Sequence, residues 1–311
     1  MTWAAWRLQR TETLVTAAIV AAVAAVLVPV GLHMASVYNG DHISRCLNAP
    51  KDSNCGAVVG DFLQRFDGLN ALIGWFNLLP GVIGVLLAAP LLLELENGTF
   101  RFAWTQSVTR RRWIAGKLAT VVAVALVAAL ALSQLVTWYR RPLAHLDGRL
   151  ETASFDFAGT VDFGYVLFAV GLALVLGVLM RRTIPALFVG FVSYIVARLF
   201  VDSWLRQRLL TPLSATWKSS ALGPNLKTAW VLNEGPSDRF GHFLHPAFHS
   251  IAVPCGKGQG CIVAPPSVYQ HAVYLPASKF WALQGLETAL FGGIALALIL
   301  FAAWWIHERV A

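Results

Sequence analysis

Six long apolar runs, almost free of internal charge, constrain the fold of this chain more than any other feature of its sequence. A helix needs about 20 apolar residues to cross a bilayer, and a charge at its centre costs about 2.5–3.5 kcal/mol on insertion scales. Backbone groups in lipid must bond within their own segment, so runs of this length predict helices. The six predicted spans are residues 13–37, 69–93, 115–138, 163–180, 184–201 and 281–306.

Composition also favours a membrane protein over a soluble one. The 311 residues are 57% hydrophobic and 13% charged, whereas about 25% of an average soluble domain is charged. The net charge of +8 would suit nucleic acid, but in so apolar a chain basic loops beside anionic lipid explain it. We therefore expect a lipid environment and no nucleic-acid partner. The many alanines and arginines indicate a GC-rich bacterial genome, so we predict a multi-pass protein of the bacterial cytoplasmic membrane.

Basic residues in the short flanks of the spans predict that both termini are cytoplasmic. With that orientation, four basic groups lie inside: before span one, between spans two and three, between spans four and five, and after span six. Arg140 and Arg141, directly after the third span, run against this pattern.

The four cysteines are consistent with this orientation, which places all of them outside in two close pairs. Thiols oxidise outside the cytoplasm and stay reduced within it. We therefore predict two disulfides, Cys46–Cys55 and Cys255–Cys261, with four unpaired outer thiols as the alternative.

These features predict an all-α polytopic membrane protein with six transmembrane helices. Spans one to five occupy residues 1–201, with a polar outer loop at 38–68 and a charged cytoplasmic coupling segment at 94–114. Residues 202–280 combine glycine and proline turn signals with apolar residues, which indicates an ordered outer cap of short elements. Residues 281–311 form the last span and a cytoplasmic tail.

The coupling segment contains the sequence ELENGTFRFAWTQSVTRRRW at residues 94–113. Glu94 and Glu96 end span two, Gly98 permits a turn, and Thr99 can cap a following helix. The next apolar residues recur near helical spacing, which predicts a short amphipathic helix at the membrane surface. Three consecutive arginines then stand at a helix N-terminus, where the helix dipole opposes cations. We expect an anionic partner there, either lipid headgroups or a cytoplasmic protein.

With the residues IAGK that follow, this stretch resembles the signature of permease subunits of type-2 ATP-binding-cassette exporters. The acidic pair and Gly98-Thr99 close span two, Thr109-Arg110 forms the turn after a coupling helix, and Lys117 opens span three. Six spans, cytoplasmic termini and a larger outer segment before the last span are also similar to that family. The turn lacks the family's frequent proline, and the cap is larger than in many drug permeases.

The resemblance implies a permease subunit that exports an amphipathic substrate, such as a drug, a lipid or a small peptide, and is not itself an enzyme. The sequence contains no G-x-x-x-x-G-K-[ST] motif. We therefore expect this chain to bind no cofactor, with ATP and Mg²⁺ held by a separate cytoplasmic ATPase in two copies. A second, identical permease completes the expected assembly.

The resemblance also assigns roles within the coupling segment. Phe100 and Trp104 are expected to enter a groove of the ATPase, while the two glutamates pair with basic residues there or brace Arg101. The expected coupling residues are Glu94, Glu96, Gly98, Thr99, Phe100, Arg101, Trp104, Thr105 and Arg110.

Polar residues in the spans provide further candidates. Asn70, Phe76 and Asn77 in the second span are predicted to line a substrate cavity, because a buried amide either bonds another helix or faces a cavity. Glu287 lies at the start of the sixth apolar run, and we expect it at the outer membrane interface, since the residues after it nearly suffice to cross.

Three outer histidines, His242, His245 and His249, have a spacing that would suit a metal site. Pro246 interrupts a regular helix there, so we interpret them as ordinary loop histidines and predict no metal. Two other functions remain open. One is a membrane sensor or assembly protein whose outer cap binds a ligand, and the other is an intramembrane enzyme or metal-handling protein that uses these histidines.

Overall fold

A computed structural model describes residues 2–48, 55–101, 109–146, 148–150, 155–157, 159–219, 221, 223–226, 228–244, 251–255, 259–263 and 269–309. Within these ranges the side chains of residues 2–9, 47, 48, 67, 69–73, 251–255 and 259–263 lie outside the description. The helices are α1 (Thr2–Gly40), α2 (Ile43–Asn48), α3 (Cys55–Phe76), α4 (Leu79–Glu96), α5 (Arg110–Ala144), α6 (Val161–Met180), α7 (Thr183–Phe200) and α8 (Phe280–Arg309). The strands are β1 (Leu213–Lys218), β2 (Trp230–Ser237), β3 (Ile251–Cys255), β4 (Gln259–Val263) and β5 (Tyr269–Leu275).

Six helical segments in the described part of the chain are long and apolar enough to cross a membrane, which confirms the six predicted spans. The segments are Arg10–Gly40, Gly74–Glu96, Arg110–Ala144, Val161–Met180, Thr183–Arg208 and Ala277–Arg309. Successive spans run in opposite directions. The ends of α4, α6 and α8 therefore meet the beginnings of α5 and α7 at one end of the bundle, the coupling end. The strands lie at the opposite end, the cap end.

Helix α6 lies in the middle of the bundle and packs against α4, α5, α7 and α8. Small residues allow the helices to approach closely, as is usual in membranes. At the crossing of α4 with α6, a Cβ atom built on Gly84 would lie 2.6 Å from the carbonyl oxygen of Val166 and 2.6 Å from Cβ of Ala169. Only glycine fits this crossing without a shift of one helix.

Most of the predicted outer loop at 38–68 is helical. Helix α1 continues to Gly40, and α3 begins at Cys55 and runs antiparallel to α1. Phe62 and Phe66, four residues apart, are buried against α1 with ring centroids 6.0 Å from those of Tyr38 and His33 respectively. Gln64 and Arg65, between them, are exposed, so this part of the segment is an amphipathic helix.

A disulfide joins Cys46 of α2 to Cys55 at the start of α3. This confirms one of the two predicted pairs. The side chains of Cys255 and Cys261, which form the other predicted pair, lie outside the described residues, although their backbones belong to β3 and β4.

The all-α prediction is wrong for the cap, which contains two antiparallel sheets. Strands β1, β5 and β2 form a three-stranded sheet with β5 in the centre, and β3 pairs with β4. The sequence of β5, YQHAVYL, is rich in aromatic and branched residues that suit a pleated surface. Ala272 and Leu275 of this strand are fully buried.

Gly84→Ala should lower the free energy of unfolding by about 1–3 kcal/mol, because the added methyl group overpacks the crossing of α4 with α6. Gly293→Ala, at an exposed position of α8 where an added Cβ would meet nothing within 4 Å, is the matched control and should be neutral or stabilising. Thermal unfolding of the purified protein in detergent measures both. Equal melting temperatures for the two variants would contradict the close crossing.

Candidate functional site

The chain turns sharply after α4, at the start of the coupling segment. The backbone N–H of Asn97 donates to the carbonyl of Leu93 (3.0 Å) and closes the helix. Gly98 follows with φ +69°, in the left-handed region that favours glycine. The hydroxyl of Thr99 donates back to the carbonyl of Glu94 (3.4 Å). Thr99 therefore bonds to the helix behind it, and its predicted cap on the helix that follows involves residues outside the described ranges.

Glu94, the first acidic residue of the coupling segment, pairs with Lys117 in the first turns of α5. Nζ of Lys117 donates to Oε1 of Glu94, and both side chains are largely buried. A buried charge pair of this kind links two helices firmly, because removing either partner leaves the other charge uncompensated. Two of the residues that carry the family resemblance, 23 positions apart in sequence, therefore join the end of α4 to the first turns of α5.

The second acidic residue binds the beginning of another helix. The backbone N–H of Thr183, the first residue of α7, donates to Oε2 of Glu96 (2.8 Å). A carboxylate in this position satisfies a free helical N–H and complements the positive end of the helix dipole. Glu94 and Glu96 thus bond within the chain, and neither braces Arg101, contrary to one of the predicted arrangements.

Phe100 is 4% exposed and lies inside the chain, with its ring centroid 6.4 Å from that of Trp113 on α5. This position differs from the predicted one in a groove of a partner. Arg101 is exposed, with its guanidinium 5.9 Å from the centroid of the Phe100 ring. Arg110 is exposed at the start of α5. Trp104 and Thr105 lie outside the described residues.

The predicted cavity residues lie near a break between α3 and α4. The side chain of Asn70 is outside the described residues, and Phe76 and Asn77 are half-buried. The carbonyl of Asn77 accepts a hydrogen bond from the hydroxyl of Tyr194 on α7 (3.4 Å). The side-chain oxygen of Asn77 is buried without a hydrogen-bond partner among the described residues. Their role in substrate binding stays a prediction.

His242 is exposed, and its Nδ1 lies 3.0 Å from Oδ2 of Asp238. His245 and His249 lie outside the described residues. In the part of the chain that the structure describes, no three histidine, cysteine or acidic residues are grouped as metal ligands would be.

A second polar site at the cap end was missed in the sequence. Arg206 is 1% exposed, and its guanidinium donates to Oδ1 of Asp156 (2.6 Å) and to both carboxylate oxygens of Glu287 (3.0 Å each). Arg198 reaches the other oxygen of Asp156 (2.7 Å). We call these four residues the ion cluster. Each arginine contacts both carboxylates, so every charge of the ion cluster has an oppositely charged partner. Arg206 also pairs with Asp202, a third carboxylate that is partly exposed (2.5 Å).

Tyr165 of α6 completes the contacts of the ion cluster. Its hydroxyl donates to Oε1 of Glu287 (2.5 Å), and its ring centroid lies 3.6 Å from the guanidinium carbon of Arg198. Burial by itself would raise the pKa of Asp156, but the guanidinium groups of Arg198 and Arg206 outweigh that effect and hold this pKa below its usual value. The ion cluster and Tyr165 therefore connect three helices, α6, α7 and α8, with Asp156 in the segment that precedes α6.

An irregular turn brings both arginines to one face. The fifth span does not end at 201 as predicted, but continues as a π-helix (Val201–Leu205) and a 3-10 helix (Arg206–Arg208). In a regular α-helix, residues eight positions apart differ by about 80° around the axis. A π-turn contains more residues than an α-turn, so each residue rotates less around the helix axis. Arg206 therefore faces the same carboxylates as Arg198. Such turns are frequent at functional sites.

Glu287 is fully buried within the protein, near the beginning of α8 at the cap end, and its position at the outer interface stays a prediction. The sequence gives two signals of this site: Arg198, Asp202 and Arg206 recur at a spacing of four residues beyond an apolar run, and Glu287 lies inside another. Charges at helical spacing next to a membrane span indicate a shared buried face when a second span supplies the opposite sign.

One uncharged contact reinforces the cap end. Oε1 of Gln284 on α8 accepts hydrogen bonds from the backbone N–H groups of Thr160 (3.1 Å) and Val161 (3.0 Å) at the beginning of α6. At both ends of the bundle, therefore, a side chain of one helix satisfies the free N–H groups at the start of another.

A family model described as ABC-2 membrane transporter related matches residues 17–206, well over half of the chain. The match includes the coupling segment and both arginines of the ion cluster, and it ends before the strands of the cap. It confirms the resemblance to type-2 ATP-binding-cassette permeases predicted from the sequence. No curated protein and no solved structure matches the chain.

Glu94→Gln and Lys117→Gln should each destabilise the protein by about 3 kcal/mol, because each leaves one largely buried charge without its partner. The double variant should lose much less than the sum of the two, since it removes both charges together. A double-mutant cycle of thermal unfolding in detergent measures this coupling. Strictly additive losses would contradict the ion pair.

Arg206→Met should destabilise the protein by about 3–5 kcal/mol, because Glu287 and Asp156 would then share a single arginine in a buried site. The matched control is Arg208→Met, two residues further along the same span, where the side chain is exposed and its removal should change stability by about 0.5 kcal/mol or less. Similar losses in both variants would show that the ion cluster does not hold the helices together.

Proposed function

Because the chain belongs to the ABC-2 membrane transporter related family, we propose that it is the membrane-spanning permease subunit of an ATP-driven exporter. The observation that supports this most is the bonding of the coupling segment. Its two glutamates connect the end of α4 to Lys117 on α5 and to Thr183 on α7. A force applied at this one turn therefore reaches three membrane spans.

The proposed mechanism is rigid-body gating. A separate ATPase docks under the coupling segment, binds ATP and Mg²⁺, and changes shape on hydrolysis. Helix α4 moves with the segment, and the Glu94–Lys117 and Glu96–Thr183 bonds carry α5 and α7 with it. Packed helices shift as units between discrete arrangements rather than deform continuously. The permease chain supplies the path and the gate and has no catalytic role of its own.

We propose that the coupling end faces the cytoplasm of a bacterium. The basic flanks of the spans gather at this end, as expected for cytoplasmic loops. The disulfide between Cys46 and Cys55 lies at the opposite end, which suits an oxidising exterior. The cap would then lie outside the cell, above the spans.

We further propose two copies of the permease with two ATPases, and an amphipathic substrate. Helix α7 carries an apolar stripe at a spacing of four residues, formed by Ile184, Phe188, Val192 and Val196, with exposed fractions between 42% and 80%. Such a stripe suits either lipid or a second copy of the chain. A pathway between apolar helices favours substrates that partition into the membrane.

Docking and transmission can be tested separately. Trp104→Ala should weaken binding of the ATPase about thirtyfold, because truncating an aromatic anchor at an interface costs about 2 kcal/mol or more. Glu96→Ala should leave binding intact but lower substrate-stimulated ATP turnover, because α7 loses its bond to the coupling segment. Pull-down of the ATPase and turnover in proteoliposomes measure the two effects.

The matched control for docking is Trp281→Ala, which removes an exposed tryptophan at the cap end and should bind the ATPase normally. Wild-type binding by Trp104→Ala would mean that the coupling segment does not dock the ATPase. Wild-type turnover by Glu96→Ala would mean that the bond to α7 transmits nothing.

A further inference from the structure

A cavity of about 450 Å³ opens at the coupling end, beside the turn after α4. Its apolar wall includes Leu92 and Leu95 of α4, Phe100 of the coupling segment and Val178 of α6. Volumes of this size are typical of ligand sites. The cavity lies where the ends of three spans meet, and the tryptophans near the end of α8 mark the level of the membrane interface.

Three arginines from separate segments line the same cavity: Arg101 after the turn, Arg181 at the end of α6, and Arg309 at the end of α8. Among the described residues, none of the three forms an ion pair. Glu96, the carboxylate in the lining, already accepts the N–H of Thr183. Its described lining therefore combines three positive charges with one occupied carboxylate.

The neighbouring contacts leave the donors of these arginines available. Arg101 and Arg309 lie against aromatic rings, with their guanidinium carbons 5.9 Å and 5.6 Å from the centroids of Phe100 and Trp305. Glu308, next to Arg309, lies 3.1 Å from Nδ1 of His307 instead. A ring contact engages the face of a guanidinium, and its N–H groups still point outward in the plane.

Arg181 occupies a backbone position that usually takes glycine. It ends α6 with φ +55°, in the left-handed region, while its N–H donates to the carbonyl of Gly177 (2.9 Å). Glycine is the common residue at such a helix end because it has no side chain to crowd the turn. Arg181 at this position, in place of a glycine, adds a third guanidinium group to the lining of the cavity.

We propose that this cavity binds the headgroup of an anionic phospholipid from the adjacent leaflet. Guanidinium groups match phosphate oxygens in geometry and charge, and basic pockets between membrane helices recognise anionic headgroups. The apolar wall formed by α4 and α6 then continues toward the bilayer and suits the first carbons of the acyl chains. The bound headgroup links the coupling segment to α6 and α8, two helices that the Glu94 and Glu96 bonds do not reach.

The site is tested on the purified permease alone, without an ATPase, so the result is independent of the proposed transport function. The probes are phosphatidylglycerol and phosphatidylcholine of the same acyl composition, with lipid binding measured by native mass spectrometry and by thermal stabilisation. The wild-type chain should prefer phosphatidylglycerol. Arg101→Gln, Arg181→Gln and Arg309→Gln should each weaken phosphatidylglycerol binding about fivefold, with phosphatidylcholine binding unchanged.

A matched triple variant, Arg10→Gln, Arg111→Gln and Arg112→Gln, removes three exposed arginines from the same end of the bundle and should retain the preference. An equal loss in this control would overturn the proposal in favour of a diffuse basic surface. Inorganic phosphate binding as tightly as the lipid would mean a small-anion site. Unchanged phosphatidylglycerol binding in the cavity variants would overturn the proposal.

Discussion

Buried charge pairs join different helices at both ends of this bundle, and the arrangement of the spans depends on these pairs. An unpaired charge in a membrane is costly, whereas a matched pair with good geometry is tolerated. Lys117 and Glu94 form such a pair at the coupling end, and Arg206 with Glu287 forms another at the cap end. Because each partner comes from a different helix, the charges determine which helices are neighbours, which apolar packing alone does not.

Helix α7 connects the two charged sites. Its first residue, Thr183, donates to Glu96 of the coupling segment, and its far end carries Arg198 and Arg206 of the ion cluster. The 18 residues of the helix span about 27 Å as a rigid rod. One helix therefore connects the coupling segment to the base of the cap. The family match ends at residue 206, the last member of this chain of contacts before the cap.

The sequence was enough to predict features that depend on residues close together in the chain. It was not enough to predict which distant residues contact each other. Apolar runs predicted all six spans, and the proximity of Cys46 to Cys55 predicted a disulfide, because both depend on neighbours in the sequence. The helix around Phe62 was missed because its exposed face is polar enough to resemble a loop. The contacts of Glu287 were missed because its partners are arginines some 80 or more residues away in the chain, which no local pattern reveals. The sequence pattern drew attention to Glu94 and Glu96, but their partners within the chain became known only from the structure.

The central claim is that this chain forms the membrane half of an ATP-driven transporter. Purification of the tagged chain from its native membrane in a mild detergent, followed by mass spectrometry and an ATP turnover assay, tests it most directly. We expect a complex in which an ATP-binding-cassette ATPase is present in equal number with the permease and hydrolyses ATP. A folded chain that purifies in good yield without any ATP-binding protein and without ATP turnover would contradict it.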